Sequence, residues 1–290
     1  MKKIKNRNLS ADRPADRSGS SPGSRRITEK EAVDVEDRSS PRTPVIYEIV
    51  RRLGEEEMSR PVTSLWWSGL AAGLSISFSF LGQAILRAHL PDSNWAVLVT
   101  SLGYSVGFLM VVLSRQQLFT ESTVTAVLPV MANTTLASLW RLFRLWGVVL
   151  VANIVGTFIA ALICTFTPVL TPELKAAMLD IAGKIMGHGL LEMTFRAIAS
   201  GFLIATMVWL LPSAEAAQFH IIVVITYIIA AGDFMHIIAG SVEAFFLVLN
   251  GQLGIQSMVA EFFIPVLVGN VIGGTALFAL IAYAQVMKEI

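Results

Sequence analysis

A polar stretch at 232–240 interrupts a long apolar segment and holds residue types that are suited to chemistry. It contains an acid, Asp233, and a histidine, His236, between the apolar runs 219–229 and 242–249. An ionisable group at membrane depth costs roughly 2.5–3.5 kcal/mol on insertion scales and persists mainly where it faces a cavity or a partner. Backbone that leaves the helix at that depth must be buried in protein or line a water-filled space. The stretch therefore predicts a broken transmembrane helix with a polar site at its break.

Two roles are open for each ionisable residue of such a break. His236 either gives a proton or a hydrogen bond to a passing solute, or is a neutral histidine bonded to the backbone. Asp233 lies about one helical turn earlier and either pairs with His236 or caps the start of the second half-helix. Glu121, in a second polar interruption at 114–123, is either an exposed loop residue or part of a pathway. An acid in the pathway would repel anions unless it is protonated or paired.

Composition places most of the chain in a membrane. Of the 290 residues, 54% are hydrophobic and only 15% are charged, which is unlike an ordinary soluble domain. Residues 1–60 hold 14 of the 22 Lys and Arg and 11 of the 21 Asp and Glu. We therefore predict a polar N-terminal tail over 1–60 and a transmembrane channel domain over 61–290. The net charge of +1 averages these unlike regions and gives no indication of a nucleic-acid partner.

The tail is predicted to be disordered and cytoplasmic, apart from one short helix. It is rich in Ser, Pro, Arg and Asp and buries too little apolar surface to offset the entropy of ordering. No apolar region follows its basic start, so we do not interpret it as a cleavable signal peptide. Only 44–58 has helical periodicity, which predicts a short amphipathic helix on the membrane face.

Six spans follow the tail, each with about 20 mainly apolar residues. They cover 64–86, 95–113, 139–165, 188–211, 218–249 and 259–286. An even number of spans puts both termini on one side, and the Lys and Arg of the tail mark that side as cytoplasmic. We therefore predict an integral protein of a bacterial-type inner (plasma) membrane, with the lipid bilayer as its surroundings.

The two halves of the membrane body repeat one pattern. Residues 151–157 in the third span resemble 268–274 in the sixth, and 70–74 in the first resemble 198–202 in the fourth. The second and fifth spans are the two that break, and three spans per half give the halves opposite orientations. Inverted repeats with a discontinuous helix in each half place a pathway at their interface, near the bilayer midplane. The small and amide residues predicted to support the packing and the breaks are Asn153, Gly156, Gly232, Gly240, Asn270 and Gly273.

These motifs together resemble the formate/nitrite transporter family over about 63–286. The resemblance is carried by Leu118-Phe119-Thr120 followed by Thr123-Val124, by an Asn-x-x-Gly pair in each half, and by a lone His before Ile-Ile-Ala. It implies an all-α, aquaporin-like bundle of six transmembrane helices, built from two inverted three-helix repeats with broken second and fifth helices. It also implies a homopentamer with one pore per protomer that passes small monovalent anions, such as formate or nitrite, or their conjugate weak acids.

The resemblance also implies which residues line the pathway. The central histidine of the family corresponds to His236. The inner constriction would include Leu118, Phe119 and Phe108, and the outer one Tyr104 with a residue near Ile228 or Ile229. With Thr120 orienting the anion, the predicted pathway residues are His236, Thr120, Leu118, Phe119, Phe108, Tyr104, Asp233 and Glu121.

The chain departs from the family pattern at several polar positions. Many members have Glu just before the central histidine and Asn four residues after it, where this chain has Met235 and Gly240. Ala205 stands where the fourth helix commonly has Asn, and Asp233 and Glu121 are additional acids. These changes remove hydrogen-bonding groups at those three positions and add two acids elsewhere.

Desolvation disfavours a charged form, so a weak-acid anion that gains a proton near the constriction would cross it as the neutral acid. In this hypothesis His236 supplies the proton or a hydrogen bond. The alternatives are a channel for small neutral solutes, although neither break has Asn-Pro-Ala, and a non-conducting membrane scaffold. An enzyme is not predicted, because Ser241 and His236 lack a supporting motif and the chain has no phosphate-binding loop. We predict no cofactor and, with Cys164 as the single cysteine, no cysteine-rich metal site.

Overall fold

The computed structural model describes Thr28 and residues 41–289, and the regular elements in this part of the chain are helices. They are numbered here in chain order: α1 (Thr43–Ser59), α2 (Val62–His89), α3 (Ala96–Leu113), α4 (Phe119–Thr125), α5 (Val127–Ala132), α6 (Leu136–Phe166), α7 (Pro172–Ala182), α8 (Leu190–Leu210), α9 (Gln218–Ala231), α10 (Ile237–Leu249) and α11 (Ile255–Val286). Helix α11 contains π-helical turns at Met258–Phe263 and Ile272–Ala279.

Within this described part, five helices are long and apolar enough to cross a membrane, namely α2, α3, α6, α8 and α11. Helices α9 and α10 are apolar but shorter, and they are the two pieces of the interrupted fifth span. The second span is interrupted in the same way, because α3 ends at Leu113 and the short helix α4 begins at Phe119. The predicted all-α membrane bundle with broken second and fifth helices is therefore confirmed.

Glycines set the helix–helix distances at corresponding places in the two halves. A Cβ on Gly156 of α6 would lie 2.5 Å from the backbone oxygen of Leu70 in α2. A Cβ on Gly273 of α11 would lie 2.1 Å from the backbone oxygen of Ile198 in α8. Only a residue without a side chain permits backbones to approach this closely. The helix pairs α2–α6 and α8–α11 are thus packed alike.

Helix α1 packs against the bundle. Its buried side chains include Tyr47, Val50 and Met58, and a Cβ on Gly54 would lie 1.9 Å from the backbone oxygen of Thr125 in α4. The compact unit accordingly covers Pro41–Ile290, whereas composition placed the domain boundary near residue 60. Disorder is predicted for the tail. Apart from Thr28 and 41–60, the residues of the tail lie outside the described part of the chain.

Candidate functional site

The two helix breaks have matching backbone geometry. In each break the second residue takes a left-handed conformation, with φ of 52° at Arg115 and 54° at Asp233. Such φ values stop a right-handed helix and are uncommon for residues other than glycine. The next helix then begins four residues later in both halves, at Phe119 and at Ile237. The breaks therefore turn the chain in the same way, as two copies of one repeat should.

An asparagine from the last helix of the first half holds the first break. The Oδ1 atom of Asn153 accepts a hydrogen bond of 2.9 Å from the backbone N–H of Phe119. Its Nδ2 atom donates to the backbone oxygens of Gly69 and Gln117 at 2.8 and 2.9 Å. The side chain is completely buried. It thus satisfies backbone groups that the interruption of the helix leaves free.

Asn270 does the same for the second break. Its Oδ1 atom accepts from the N–H of Ile237 at 2.8 Å. Its Nδ2 atom donates to the backbone oxygens of Ala197 and Met235 at 2.8 and 2.9 Å. The residue between the two bonded positions is Leu118 in the first half and His236 in the second. Each half therefore presents one side chain at the start of its half-helix, apolar in one case and imidazole in the other.

His236 joins the two halves through its ring. Its Nδ1 atom accepts a hydrogen bond of 3.2 Å from the backbone N–H of Ala239, so this nitrogen carries no proton. The proton of the neutral ring is therefore on Nε2, which lies 2.8 Å from Oγ1 of Thr120 in α4 and donates to it. His236 is 2% exposed and Thr120 is completely buried. The neutral, backbone-bonded histidine is thus the arrangement present, with a link to the opposite half in addition.

Aromatic rings fill the space next to this histidine. The ring of Phe108 meets the imidazole of His236 edge to face, with centroids 5.1 Å apart, and Tyr104 lies 5.1 Å beyond Phe108. Phe108, Leu118 and Phe119 are 0, 1 and 2% exposed. The family resemblance implied an inner constriction at these three residues, and all three side chains are buried. The side chains place an apolar layer directly beside the polar His236–Thr120 pair.

A cavity of about 650 Å³ extends from the loop around Asp92 to His236. Its lining includes Tyr104 and Ile229, whereas Ile228 is 40% exposed on the bundle surface. We call this space the vestibule. Of the two residues named for the outer position, Ile229 is therefore the one that lines the same cavity as Tyr104.

Asp233 neither pairs with His236 nor caps α10, and both expectations for it are wrong. Its carboxylate lies 2.8 Å from Nε2 of His188 and 3.1 Å from Nη1 of Arg196. Helix α10 is capped by His236 itself. The left-handed backbone of Asp233 directs its carboxylate away from His236 and towards the start of α8. Glu192 and Arg196, four residues apart in α8, form an ion pair at 2.8 Å.

The opposite end of the pathway carries two acids close to the first break. Glu57 of α1 accepts hydrogen bonds from the hydroxyl of Thr125 at 2.5 Å and from the amide of Gln117 at 3.2 Å. Burial raises the pKa of the Glu57 carboxyl, and these two hydrogen bonds lower it in part. Oε1 of Glu121 is buried and has no hydrogen-bond partner within the described residues. Glu121 is therefore a half-buried residue rather than an exposed loop residue.

The sequence did not mark four polar residues of the candidate site. Glu57 and Gln117 lie by the first break, and Lys184 and Glu243 line the vestibule. Glu57 is one of three consecutive glutamates in a helix expected on the membrane surface, so its burial has no local signal. Glu243 is the one charged residue of the apolar run 242–249. Its spacing of seven residues from His236, two helical turns, is the signal that could have placed it on the same face.

A family model described as "Formate/nitrite transporter" matches residues 44–284, which is most of the chain. The chain belongs to the formate/nitrite transporter family. The resemblance predicted from the sequence motifs is therefore confirmed. The match begins inside α1, so the helix that packs beside the first break is part of the formate/nitrite transporter unit.

Relatives of the family extend over nearly the same region. "Inner membrane protein YfdC" of Escherichia coli (strain K12) is 45% identical over 254 residues, which is 88% of this chain and 82% of that protein. "Formate channel FocA" of Haemophilus influenzae is 27% identical over 242 residues, covering 74% of this chain and 84% of FocA. A solved "Pentameric formate channel with formate bound" has a TM-score of 0.67 at 20% identity and covers 78% of this chain and 98% of that chain. This last likeness establishes the shared fold of formate/nitrite transporters.

Proposed function

We propose that this protein is a transmembrane channel or transporter for small monovalent anions or their conjugate weak acids, with formate and nitrite as the first candidates. One observation carries the proposal. The vestibule ends on His236, which joins the two inverted halves through its 2.8 Å hydrogen bond to Thr120. The names of the relatives, which include a formate channel, support the substrate class.

The His236–Thr120 pair can bind an oxygen-bearing solute without carrying a formal charge. The Oγ1 atom of Thr120 accepts the imidazole proton, which leaves the hydroxyl proton of Thr120 free to donate. A carboxylate or nitrite oxygen is a suitable acceptor for that proton. The apolar layer of Phe108 and Leu118 lies beside the pair, and a charged solute is strongly disfavoured there. The geometry therefore favours passage of the neutral acid beyond this point.

The assembly and location follow from the same assignment. The protein is a homopentamer in the inner membrane, with one pathway in each protomer and both termini in the cytoplasm. It acts by transport rather than by catalysis. Apolar side chains exposed on the single protomer, such as Trp67, Phe143 and Phe195, supply surface for lipid and for neighbouring protomers. Labelling of single cysteines placed at each end, in a Cys164→Ser background, measures the orientation of the termini.

Vesicle swelling tests the proposed function. Proteoliposomes that contain the purified protein are placed in iso-osmotic formate, nitrite or glycerol, and swelling is followed by light scattering. We expect swelling in formate or nitrite and none in glycerol beyond that of empty vesicles. Swelling in glycerol alone would instead indicate a neutral-solute channel, and no response to any solute would indicate a scaffold.

A further inference from the structure

Helix α10 presents three residues in a line along the vestibule. His236, Gly240 and Glu243 all line the cavity, and their spacing of four and then three residues places them on one helical face. A Cβ on Gly240 would lie 2.7 Å from the ring of Phe262, so this glycine permits α10 to approach α11 closely. The carboxyl of Glu243 therefore lies on the same helical face as the imidazole, about two turns further along α10.

His236 has no proton to give to a solute. Its single ring proton lies in the hydrogen bond from Nε2 to Thr120, and Nδ1 accepts the N–H of Ala239. If Nδ1 were protonated, it and the backbone N–H of Ala239 would both be donors, and the hydrogen bond between them would be lost. The expectation that His236 supplies the proton therefore does not fit this arrangement, and another group must supply it.

The other carboxyls of the vestibule are already engaged. Asp92 pairs with Arg87 at 2.7 Å, and Asp233 is held by His188 and Arg196. Glu243 makes no hydrogen bond or ion pair with any residue that the structure describes. The titratable and charged groups around it are Tyr104 of α3, Arg87 of α2, Lys184 after α7, His236 of α10, and Asp92 and Asp233 in the loops, while Glu261 of α11 is exposed.

We propose that Glu243 is the proton-exchanging carboxyl of the vestibule, which converts a weak-acid anion into the neutral acid beside His236. The inference rests on the proposed function. The carboxylic acid of Glu243 breaks its O–H bond and gives the proton to an oxygen of the anion, where a new O–H bond forms. Glu243 becomes a carboxylate, the solute becomes neutral, and a hydronium ion of the vestibule water later restores the acid. A permanent carboxylate at this place would repel the anion, so only the exchanging form is compatible with its approach.

The inverted repeat gives the opposite end a carboxyl at the corresponding level. Glu243 lies seven residues after His236, and Thr125 lies seven residues after the equivalent Leu118. The hydroxyl of Thr125 donates to the carboxylate of Glu57. A carboxyl group therefore belongs to the corresponding helix position in both halves, supplied directly by α10 in one and through α1 in the other.

Transport across a range of pH tests this role. Formate uptake into proteoliposomes is measured from about pH 5 to about pH 8, together with the internal pH reported by an entrapped dye. For Glu243→Gln we expect uptake to fall by about tenfold or more near neutral pH, with a smaller loss at the acidic end where more solute is already protonated. Glu243→Asp should restore uptake. Asp92→Asn, a matched charge change in the same cavity, should behave as wild type.

A second measurement separates the two proposals. Infrared difference spectra of the purified protein should show one carboxylic acid lost on addition of formate, and this band should be absent in Glu243→Gln. Unchanged or faster uptake by Glu243→Gln, beside active wild type, would overturn the role of Glu243 and leave the proposed function standing. No uptake of either formate or nitrite by wild type would overturn the proposed function and, with no infrared change, the inference as well.

Discussion

Asn153 and Asn270 make the same three hydrogen bonds at two helix breaks whose sequences differ. Each accepts one backbone N–H at the start of a half-helix and donates to two backbone oxygens, one of them in the break. The amide can do this in both halves because it carries an acceptor and two donors on one planar group. The residues of the two breaks are then free to differ. Leu118 in the first break occupies the position that corresponds to His236 in the second.

Replacement of Asn270 should destabilise the fold. Asn270→Ala leaves the N–H of Ile237 and two backbone oxygens without their partner. A buried group that loses its partner costs about 1–3 kcal/mol. We expect the unfolding free energy in detergent to fall by at least about 2 kcal/mol. Asn250→Ala is the control, because that amide bonds mainly to Phe246 in its own helix, and equal losses from both variants would contradict the prediction.

Two glycines of α6 should respond in opposite ways to alanine. Gly156→Ala brings a Cβ to 2.5 Å from the backbone oxygen of Leu70, so α2 and α6 must separate. We expect a loss of about 1–3 kcal/mol or a failure to assemble. At Gly147 a Cβ meets nothing within 4 Å. Gly147→Ala should therefore be neutral or stabilising by up to about 1 kcal/mol, and thermal unfolding in detergent compares the two.

The hydroxyl of Thr120 should matter for flux. Thr120→Val removes the acceptor of the His236 proton and leaves that N–H unpaired in a buried site. Losing a buried partner costs about 1–3 kcal/mol, so we expect formate flux in proteoliposomes to fall by about tenfold or more. Thr120→Ser keeps the hydroxyl and should retain most of the flux. Equal flux from the Val and Ser variants would show that the hydroxyl is not used.

Packing of α1 should weaken as pH rises. Burial raises the pKa of Glu57 above its ordinary value of 4.5, so the docked helix holds this proton more tightly than the undocked one. The contribution to docking is complete below about pH 4.5 and is lost as pH rises through the folded pKa. Hydrogen exchange of 43–59, corrected for its intrinsic pH dependence, should therefore quicken towards alkaline pH.

Glu57→Gln should remove that dependence, because the amide cannot ionise. Glu56→Gln is the matched control, since Glu56 is the exposed neighbour on the same helix. If the pH dependence persists in Glu57→Gln and disappears in Glu56→Gln, the effect comes from Glu56 and the prediction is wrong.

Three features of the sequence alone determined the fold. They are hydrophobic runs long enough to span a bilayer, the polar interruptions at 114–123 and 232–240, and the repeated Asn-x-x-Gly. These are local patterns, and apolar length and small-residue spacing are properties that tertiary contacts cannot change. The break at 232–240 marked His236 as a neighbour of a pathway, and the family resemblance added Thr120.

The tertiary structure alone decided what the ionisable groups do. Asp233 turns away to His188 and Arg196 because its backbone is left-handed, and no sequence spacing reports that dihedral angle. Glu57 enters the bundle because the bare backbone of Gly54 permits α1 to approach Thr125. Glu243 lines the vestibule because the packed helices enclose the face of α10 that it shares with His236. The partner of a charged side chain depends on contacts between distant segments, and only the packed helices bring those segments together.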